Sequence, residues 1–87
     1  MKVYKYSEEK RIKLIMERGI DFEEIIQMLE EWEYIDIRRV PSRDNQRMFI
    51  LYYDDDICCV PFVENEKEIF LKTAYYSRKM RKFYLEL

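Results

Sequence analysis

Lysine, arginine and tyrosine side chains gather in the last quarter of the chain, and RNA cleavage is a chemistry that they could carry out. Internal attack by a 2′-hydroxyl requires alignment of the sugar with its phosphate and cations that stabilise an anionic transition state. Arginine offers a fork matched to phosphate oxygens, lysine a point charge, and tyrosine a stacking ring with a weakly acidic hydroxyl. The candidate catalytic residues are Lys72, Tyr75, Arg78 and, from an earlier strand, Tyr53. On spacing alone, a solvated basic helix face beside an aromatic core is the more common arrangement.

Other kinds of catalytic site have little support in the sequence. The chain contains no histidine for a general base or a nucleophile pair, and Gly19 is its only glycine, so it has no glycine-rich phosphate loop. Cys58 and Cys59 are adjacent in sequence and too few for a zinc site, which indicates two reduced apolar fillers. Acidic pairs at 23–24 and 30–31 are most simply solvated helix faces, with a paired-carboxylate site as the alternative. We expect neither a metal site nor a cofactor.

The composition indicates one folded domain over residues 1–87. The sequence is 48% hydrophobic and 16% aromatic, with one glycine and two prolines, which is unlike a disordered segment. It has no apolar stretch long enough to cross a bilayer and no signal peptide, so we expect a cytoplasmic protein that does not contact membranes. The net charge of −2 argues mildly against a general nucleic-acid binder, although a local basic face on an acidic body is compatible with it.

Periodicity and capping signals predict an αα-hairpin at the start of the chain. A helix is expected over 7–18, with Ser7 as N-cap, Gly19 after its end and an apolar stripe at 12, 15 and 16 as its buried face. A second helix is expected over 21–32, where Asp21 and Glu24 form a capping box. Its predicted apolar stripe is Phe22, Ile25, Ile26, Leu29 and Trp32.

After Trp32 the hydrophobic period changes from about 3.6 to 2, which predicts strands. These are expected over 33–40, 47–53, 57–63 and 68–73, and a short strand at 3–6 could add to the sheet. Pro61 predicts a bulge or unpaired edge, because proline lacks an N–H. A final helix is expected over 77–86, with one apolar and one basic face. The resulting fold class is α+β, an αα-hairpin followed by an antiparallel sheet and a C-terminal helix. The expected core includes Ile25, Leu29, Ile50, Val60, Phe70 and Phe83.

Short motifs at both ends of the chain resemble the BrnT family of bacterial toxins, which belongs to the RelE/ParE superfamily. That family opens with an aromatic-Asp pair, a lysine three residues later, a His-Gly and a Phe-Glu-Glu helix start. The corresponding residues here are Tyr6-Ser7, Lys10, Arg18-Gly19 and Phe22-Glu23-Glu24. A small-residue-Arg-Lys motif that opens the family's last helix is similar to Ser77-Arg78-Lys79. The family histidine falls on Arg18, and a strand arginine falls on Thr73.

The resemblance implies a RelE/ParE-like toxin of a type II toxin–antitoxin system that acts in bacterial stress responses. It would be a metal-independent endoribonuclease, neutralised by an antitoxin that can be of ribbon-helix-helix type and can join copies into an oligomer. In this interpretation Arg78 and Lys72 contact the phosphate, and Tyr53 or Tyr75 stacks or transfers a proton. The RNA-binding residues would be Lys79, Arg81 and Lys82. The alternative is a catalytically silent RelE-fold module that binds a protein partner through its sheet and helices.

Overall fold

The computed structural model describes residues 2–86, which form helices packed on a mixed sheet. The elements in chain order are β1 (Val3–Lys5), α1 (Glu8–Arg18), α2 (Phe22–Glu30), β2 (Asp36–Arg39), β3 (Arg47–Tyr53), β4 (Asp56–Glu64), β5 (Glu68–Leu71), β6 (Tyr75–Tyr76) and α3 (Arg78–Leu85). The predicted α+β class and the order of the αα-hairpin, strands and final helix are therefore confirmed. No helix within 2–86 is long and apolar enough to cross a membrane.

The sheet has the strand order β1-β5-β4-β3-β2, and the short strand β6 also pairs with β4. The pairs β2–β3, β3–β4 and β4–β5 are antiparallel, as predicted, but β1 is parallel to β5. A two-residue turn joins β3 to β4, and both Asp54 and Asp55 adopt positive φ angles there. Aspartate tolerates this geometry better than most residues. Pro61, for which the sequence predicts a bulge or an unpaired edge, pairs with Met48 of β3 without a bulge. On its other side, β4 changes its neighbour there from β6 to β5.

Helices cover both faces of the sheet, which divides the core into two clusters. The hairpin of α1 and α2 packs on one face, called here the hairpin face, with Phe49, Leu51, Cys58 and Val60. Helix α3 packs on the opposite face, called the α3 face. Its cluster consists of Met48, Ile50, Ile57, Cys59 and Met80, with Val40, Tyr75 and Tyr84 at its margin. Side chains alternate between these faces along each strand, so the register decides which residues can meet.

Helix α1 presents a different face to the core from the one its apolar stripe predicts. Ser7 caps its start and Gly19 ends it in the left-handed conformation, as predicted. Only Leu14 of the helix is buried, while Ile12 and Ile15 are exposed and Met16 is 81% exposed. The prediction that these three face the core was wrong. The inward side is instead partly polar, because Arg11 lies there and forms a salt bridge with Asp21.

Helix α2 begins after its predicted N-cap, Asp21, but it lacks the predicted capping box and ends earlier than predicted. Asp21 caps it, but its carboxylate accepts from the N–H of Glu23, and the side chain of Glu24 accepts from the Tyr53 hydroxyl. The predicted reciprocal capping box is therefore absent from the described structure. The helix ends at Glu30, and Trp32 lies beyond it, 79% exposed.

Two residues expected in the core are exposed, and α3 explains both. Ile25, Leu29, Ile50 and Val60 are buried as predicted. Phe70 is 37% exposed because it lies on the α3 face, pairing with Val63, where the short helix does not cover β5. Phe83 is 54% exposed because α3 contacts the sheet through Met80 and Tyr84 instead. Leu87, which the sequence placed on the same helix face, lies outside the described residues.

Three carboxylates with lowered pKa values predict loss of stability in acid. A hydrogen bond from Arg11 lowers the pKa of Asp21 below its ordinary value, one from Tyr84 lowers that of Asp36, and one from Arg81 lowers that of Asp56. Because the folded-state pKa is the lower one, the unfolded chain takes up protons first as the pH falls. The melting temperature should therefore hold near neutral pH and fall below about pH 4.

The variant Asp21→Asn tests this origin. Asparagine still caps a helix, but it cannot titrate or pair ionically with Arg11. The variant should be less stable than the wild type at pH 7, and thermal melts should show that gap narrowing towards pH 2. A gap that is constant over this range would contradict the assignment.

Candidate functional site

Helix α3 is held on the sheet by its cap and by a polar cluster. Ser77 caps the helix and accepts a hydrogen bond from the N–H of Met80 at 3.2 Å. The Tyr84 hydroxyl donates to Asp36 Oδ2 at 2.6 Å and accepts from Arg38 Nη1 at 3.4 Å. Met80 is buried on the sheet between these points. These contacts hold both ends of α3, and so they position the basic residues between Ser77 and Tyr84.

Four cationic side chains of α3 converge on one shallow hollow. The hollow has a volume of about 380 Å³, and its lining residues are Arg78, Lys79, Arg81, Lys82 and Glu86. Among residues 2–86, the side chains of Arg78, Lys79 and Lys82 form no salt bridge. Positive charge without a carboxylate partner, exposed on a helix face, is suited to bind phosphate.

Arg81 differs from its cationic neighbours because acidic groups engage it. Its Nη1 atom lies 2.9 Å from Asp56 Oδ1 and 3.4 Å from the backbone oxygen of Asp55. Its Nε atom lies 3.9 Å from Glu86 Oε2. Arg81 therefore joins α3 to the turn between β3 and β4, which is a structural role that the sequence did not predict.

An exposed aromatic ring borders the cationic hollow. The Arg38 guanidinium lies over the Phe83 ring, 5.0 Å from the ring centroid. Both residues line a second shallow hollow, of about 540 Å³, together with Lys79 and Lys82. An exposed ring among cations can stack a nucleic-acid base while the cations bind its backbone. Arg38 was not among the predicted site residues, although alternation along β2 places it on the same face as Asp36.

Lys72 and Tyr75 lie on the same face of the sheet as α3. The Lys72 ammonium is 5.9 Å from the centroid of the exposed Phe70 ring. Tyr75 pairs with Cys59 across β6 and β4, and its hydroxyl donates weakly to Met48 Sδ at 3.9 Å. Burial raises the pKa of Tyr75 above its ordinary value. The structure thus places both residues on the α3 face, with the Tyr75 hydroxyl directed into the core.

Tyr53 is the predicted catalytic residue that the sheet separates from the others. It belongs to the core cluster of the hairpin face, whereas Tyr75 belongs to the α3 face. Its hydroxyl donates to Glu24 and accepts from the N–H of Asp21 at 3.3 Å. Burial and the Glu24 hydrogen bond raise its pKa. Tyr53 therefore links the sheet to the start of α2 and does not join Lys72 and Arg78.

The adjacent cysteines are buried on opposite faces of the sheet, as apolar fillers should be. Cys58 packs in the hairpin-face cluster and Cys59 in the α3-face cluster. Burial raises the pKa of Cys58 to about 12 and that of Cys59 to about 11. Neither thiol forms the reactive thiolate at neutral pH.

Residues 2–86 contain no cluster of three or more histidine, cysteine, aspartate or glutamate side chains arranged to hold a metal ion. The candidate site consists of the cations of α3, Lys72, and the rings of Phe83 and Phe70. No family model, curated protein or solved structure matches the chain.

Proposed function

We propose that this chain is a bacterial toxin of the RelE/ParE type that cleaves RNA in the cytoplasm and is neutralised by a protein antitoxin. The observation that carries the proposal is the convergence of Arg78, Lys79 and Lys82 on one hollow, where none of the three forms a salt bridge among residues 2–86. The α+β fold, with an αα-hairpin before the sheet and a helix after it, supports the proposal. Because the net charge is −2, attraction for RNA requires a local basic surface such as this one.

The chemistry would be internal attack of a 2′-hydroxyl oxygen on the adjacent phosphorus, which needs no metal ion. The O2′–P bond forms as the P–O5′ bond breaks, which leaves a 2′,3′-cyclic phosphate, and the departing 5′-oxygen takes a proton from water. Arg78, at the first position of α3, would bind two phosphate oxygens with its planar fork and stabilise the charge that develops on them. Lys72, on the same face of the sheet, would add a second positive charge. Glu86 lines the hollow and supplies a carboxylate that can accept the hydroxyl proton.

The second candidate function is a catalytically silent module that binds a protein partner. The direction of the Tyr75 hydroxyl favours it, because that group is turned to Met48 and is not presented to the hollow. In this case the cations of α3 would bind RNA or an acidic partner without cleaving it. Measuring cleavage separates the two candidates.

Controlled expression in a bacterial host tests the toxin proposal. Induction of the wild-type chain should stop growth and deplete cellular RNA, while the double variant Arg78→Ala/Lys79→Ala at the same protein level should permit growth. Immunoblotting provides the check on protein level. Equal growth arrest by both proteins, or by neither, would contradict the proposal.

Single lysine variants should distinguish phosphate contacts from structural residues. Lys79→Ala and Lys82→Ala should each weaken binding to single-stranded RNA and lower the salt-dependence slope by about 0.7, the value for one phosphate contact. Lys13→Ala, an exposed lysine on α1 at the hairpin face, is the matched control and should bind as the wild type does. Fluorescence anisotropy over a salt series provides the measurement. An unchanged salt-dependence slope in both α3 variants would show that Lys79 and Lys82 do not contact RNA.

Arg81→Ala should behave differently from the lysine variants. Because Arg81 holds α3 to Asp56, its loss should lower the melting temperature, which those variants leave unchanged.

A further inference from the structure

An apolar pocket opens on the hairpin face, where the cationic surface of α3 does not reach. Its volume is about 430 Å³, and its aromatic walls are Tyr4, Trp32, Tyr34, Phe49 and Phe62. Phe49 and Phe62 stack with centroids 4.2 Å apart, and Tyr34 meets Phe49 edge-on at 5.6 Å. The walls are therefore preformed. A pocket of this size with mostly apolar walls is suited to bury a large side chain of another molecule.

The cations at the rim of the pocket are already paired. Glu64 forms salt bridges with both Lys2 and Arg47, and Arg47 also lies 5.3 Å from the centroid of the Phe62 ring. The rim therefore has little free positive charge for an anionic ligand.

The end of α2 beside this pocket has the opposite character. Glu30, which lines the pocket, and Glu31 and Glu33, which flank Trp32 in sequence, are all exposed. None of the three forms a salt bridge with a cation in the part of the chain that the structure describes. Unpaired carboxylates around an apolar pocket complement a ligand that combines an apolar group with positive charge.

Trp32 occupies a position that glycine would fill at lower cost. It follows α2 with φ at 61°, and backbone hydrogen bonds from Trp32 to Leu29 and from Glu33 to Met28 close the helix end around it. A bulky residue in the left-handed region is strained, and a side chain that is 79% exposed recovers little of that cost by burial. Strain that folding does not explain is typical of residues kept for binding.

We infer that this pocket binds a basic amphipathic segment of a partner protein. One apolar side chain of the segment enters the pocket, Trp32 packs over it, and lysine or arginine residues on either side face Glu30, Glu31 and Glu33. The inference rests on the proposed function only in requiring a protein partner, and it does not depend on RNA cleavage. It assigns partner binding to the hairpin face and RNA to the α3 face.

Selection from a displayed library of random 16-residue peptides, with the full chain as bait, tests the inference. Trp32 is the only tryptophan, so its emission reports on the pocket directly when the peptides contain none. The selected peptides should carry an apolar residue between lysines or arginines, and binding should shift Trp32 emission to the blue. Enrichment of acidic or uncharged sequences, or binding without an emission shift, would overturn the inference.

Two triple variants of equal net charge test whether the carboxylates at 30, 31 and 33 contribute to peptide binding. Glu30→Gln, Glu31→Gln and Glu33→Gln combined should weaken the selected peptides about tenfold, as expected for three exposed ion pairs. The matched control replaces three other exposed glutamates by glutamine and should bind as the wild type does. The control positions are Glu9, Glu17 and Glu66. Equal affinity in both triple variants would overturn the inference.

The variant Trp32→Gly separates binding from folding. It should melt at the wild-type temperature or a few degrees higher, yet lose at least tenfold in peptide affinity by calorimetry. Wild-type peptide affinity in this variant would overturn the inference. The inference would also be overturned if indole bound tightly to the chain while no peptide was selected. A wild-type dimer in sedimentation that Trp32→Gly dissociates would overturn it as well. Since these assays contain no RNA, a failed cleavage experiment and a failed peptide experiment point to different errors.

Discussion

Arg78→Ala should slow RNA cleavage by on the order of a hundredfold or more, which is the scale of losing one preorganised electrostatic donor. Arg78 is exposed at the start of α3, and its side chain forms no salt bridge within residues 2–86 that the substitution would break. The melting temperature should therefore change little, so that the loss of rate is a chemical effect. Single-turnover cleavage of an end-labelled RNA provides the measurement.

Two further variants make the Arg78 experiment specific. Arg78→Lys should also be slow, because a point charge cannot replace a bidentate fork. Arg43→Ala also removes one positive charge, but from the exposed loop between β2 and β3 and not from α3. It should keep the wild-type rate. Wild-type cleavage by Arg78→Ala would remove Arg78 from the site.

Phe22→Ala should destabilise the fold by roughly 3–5 kcal/mol, the usual cost of truncating a buried phenylalanine. Phe22 is fully buried at the start of α2, with its ring centroid 5.3 Å from that of Tyr6. A domain of this length has a free energy of unfolding of about 4–13 kcal/mol, so the substitution removes much of it. Urea unfolding measures the loss.

Phe70→Ala is the matched control, since it makes the same truncation at a partly exposed site. It should cost clearly less than Phe22→Ala, because Phe70 is already 37% exposed and its truncation removes less buried apolar surface. If Phe22→Ala fails to fold, Phe22→Leu replaces it in the experiment. It keeps most of the side-chain volume and should cost less than about 1.5 kcal/mol. Equal losses from Phe22→Ala and Phe70→Ala would show that the placement of α2 or β5 is wrong.

The sequence predicted the elements of this fold well where a local signal existed. Serines at 7 and 77 and Gly19 marked helix ends by hydrogen bonding and backbone conformation alone. The strand predicted over 47–53 is present with those bounds, because apolar residues on both faces required a central position. These are short-range effects that neighbouring residues determine.

Helix faces were harder to predict because an apolar stripe does not identify what covers it. Ile12, Ile15 and Met16 have the spacing of a buried face, yet α1 packs through Leu14. Trp32 continued the stripe of α2 in sequence, although the helix ends before it. No glycine or asparagine marked that end. The sequence signal that Trp32 is exposed was its position as a single apolar residue among Glu30, Glu31 and Glu33.

The composition of the candidate site depended on strand register, which short strands do not reveal. Tyr75 and Tyr76 are equivalent in composition, but pairing with Cys59 or Cys58 sends them to opposite faces. The two-residue strand β6 carries no hydrophobic pattern from which this pairing could be inferred. Tyr53 was grouped with Lys72 on sequence grounds, but alternation along β3 places it on the hairpin face with Phe49 and Leu51.

The most direct test of the proposed function is incubation of the purified wild-type chain with RNA in excess EDTA, followed by analysis of the product ends. We predict that cleavage persists and that the upstream fragments end in a 2′,3′-cyclic phosphate or its hydrolysis product, because the attacking group belongs to the RNA itself. Intact RNA, or cleavage that stops in EDTA, would contradict the account.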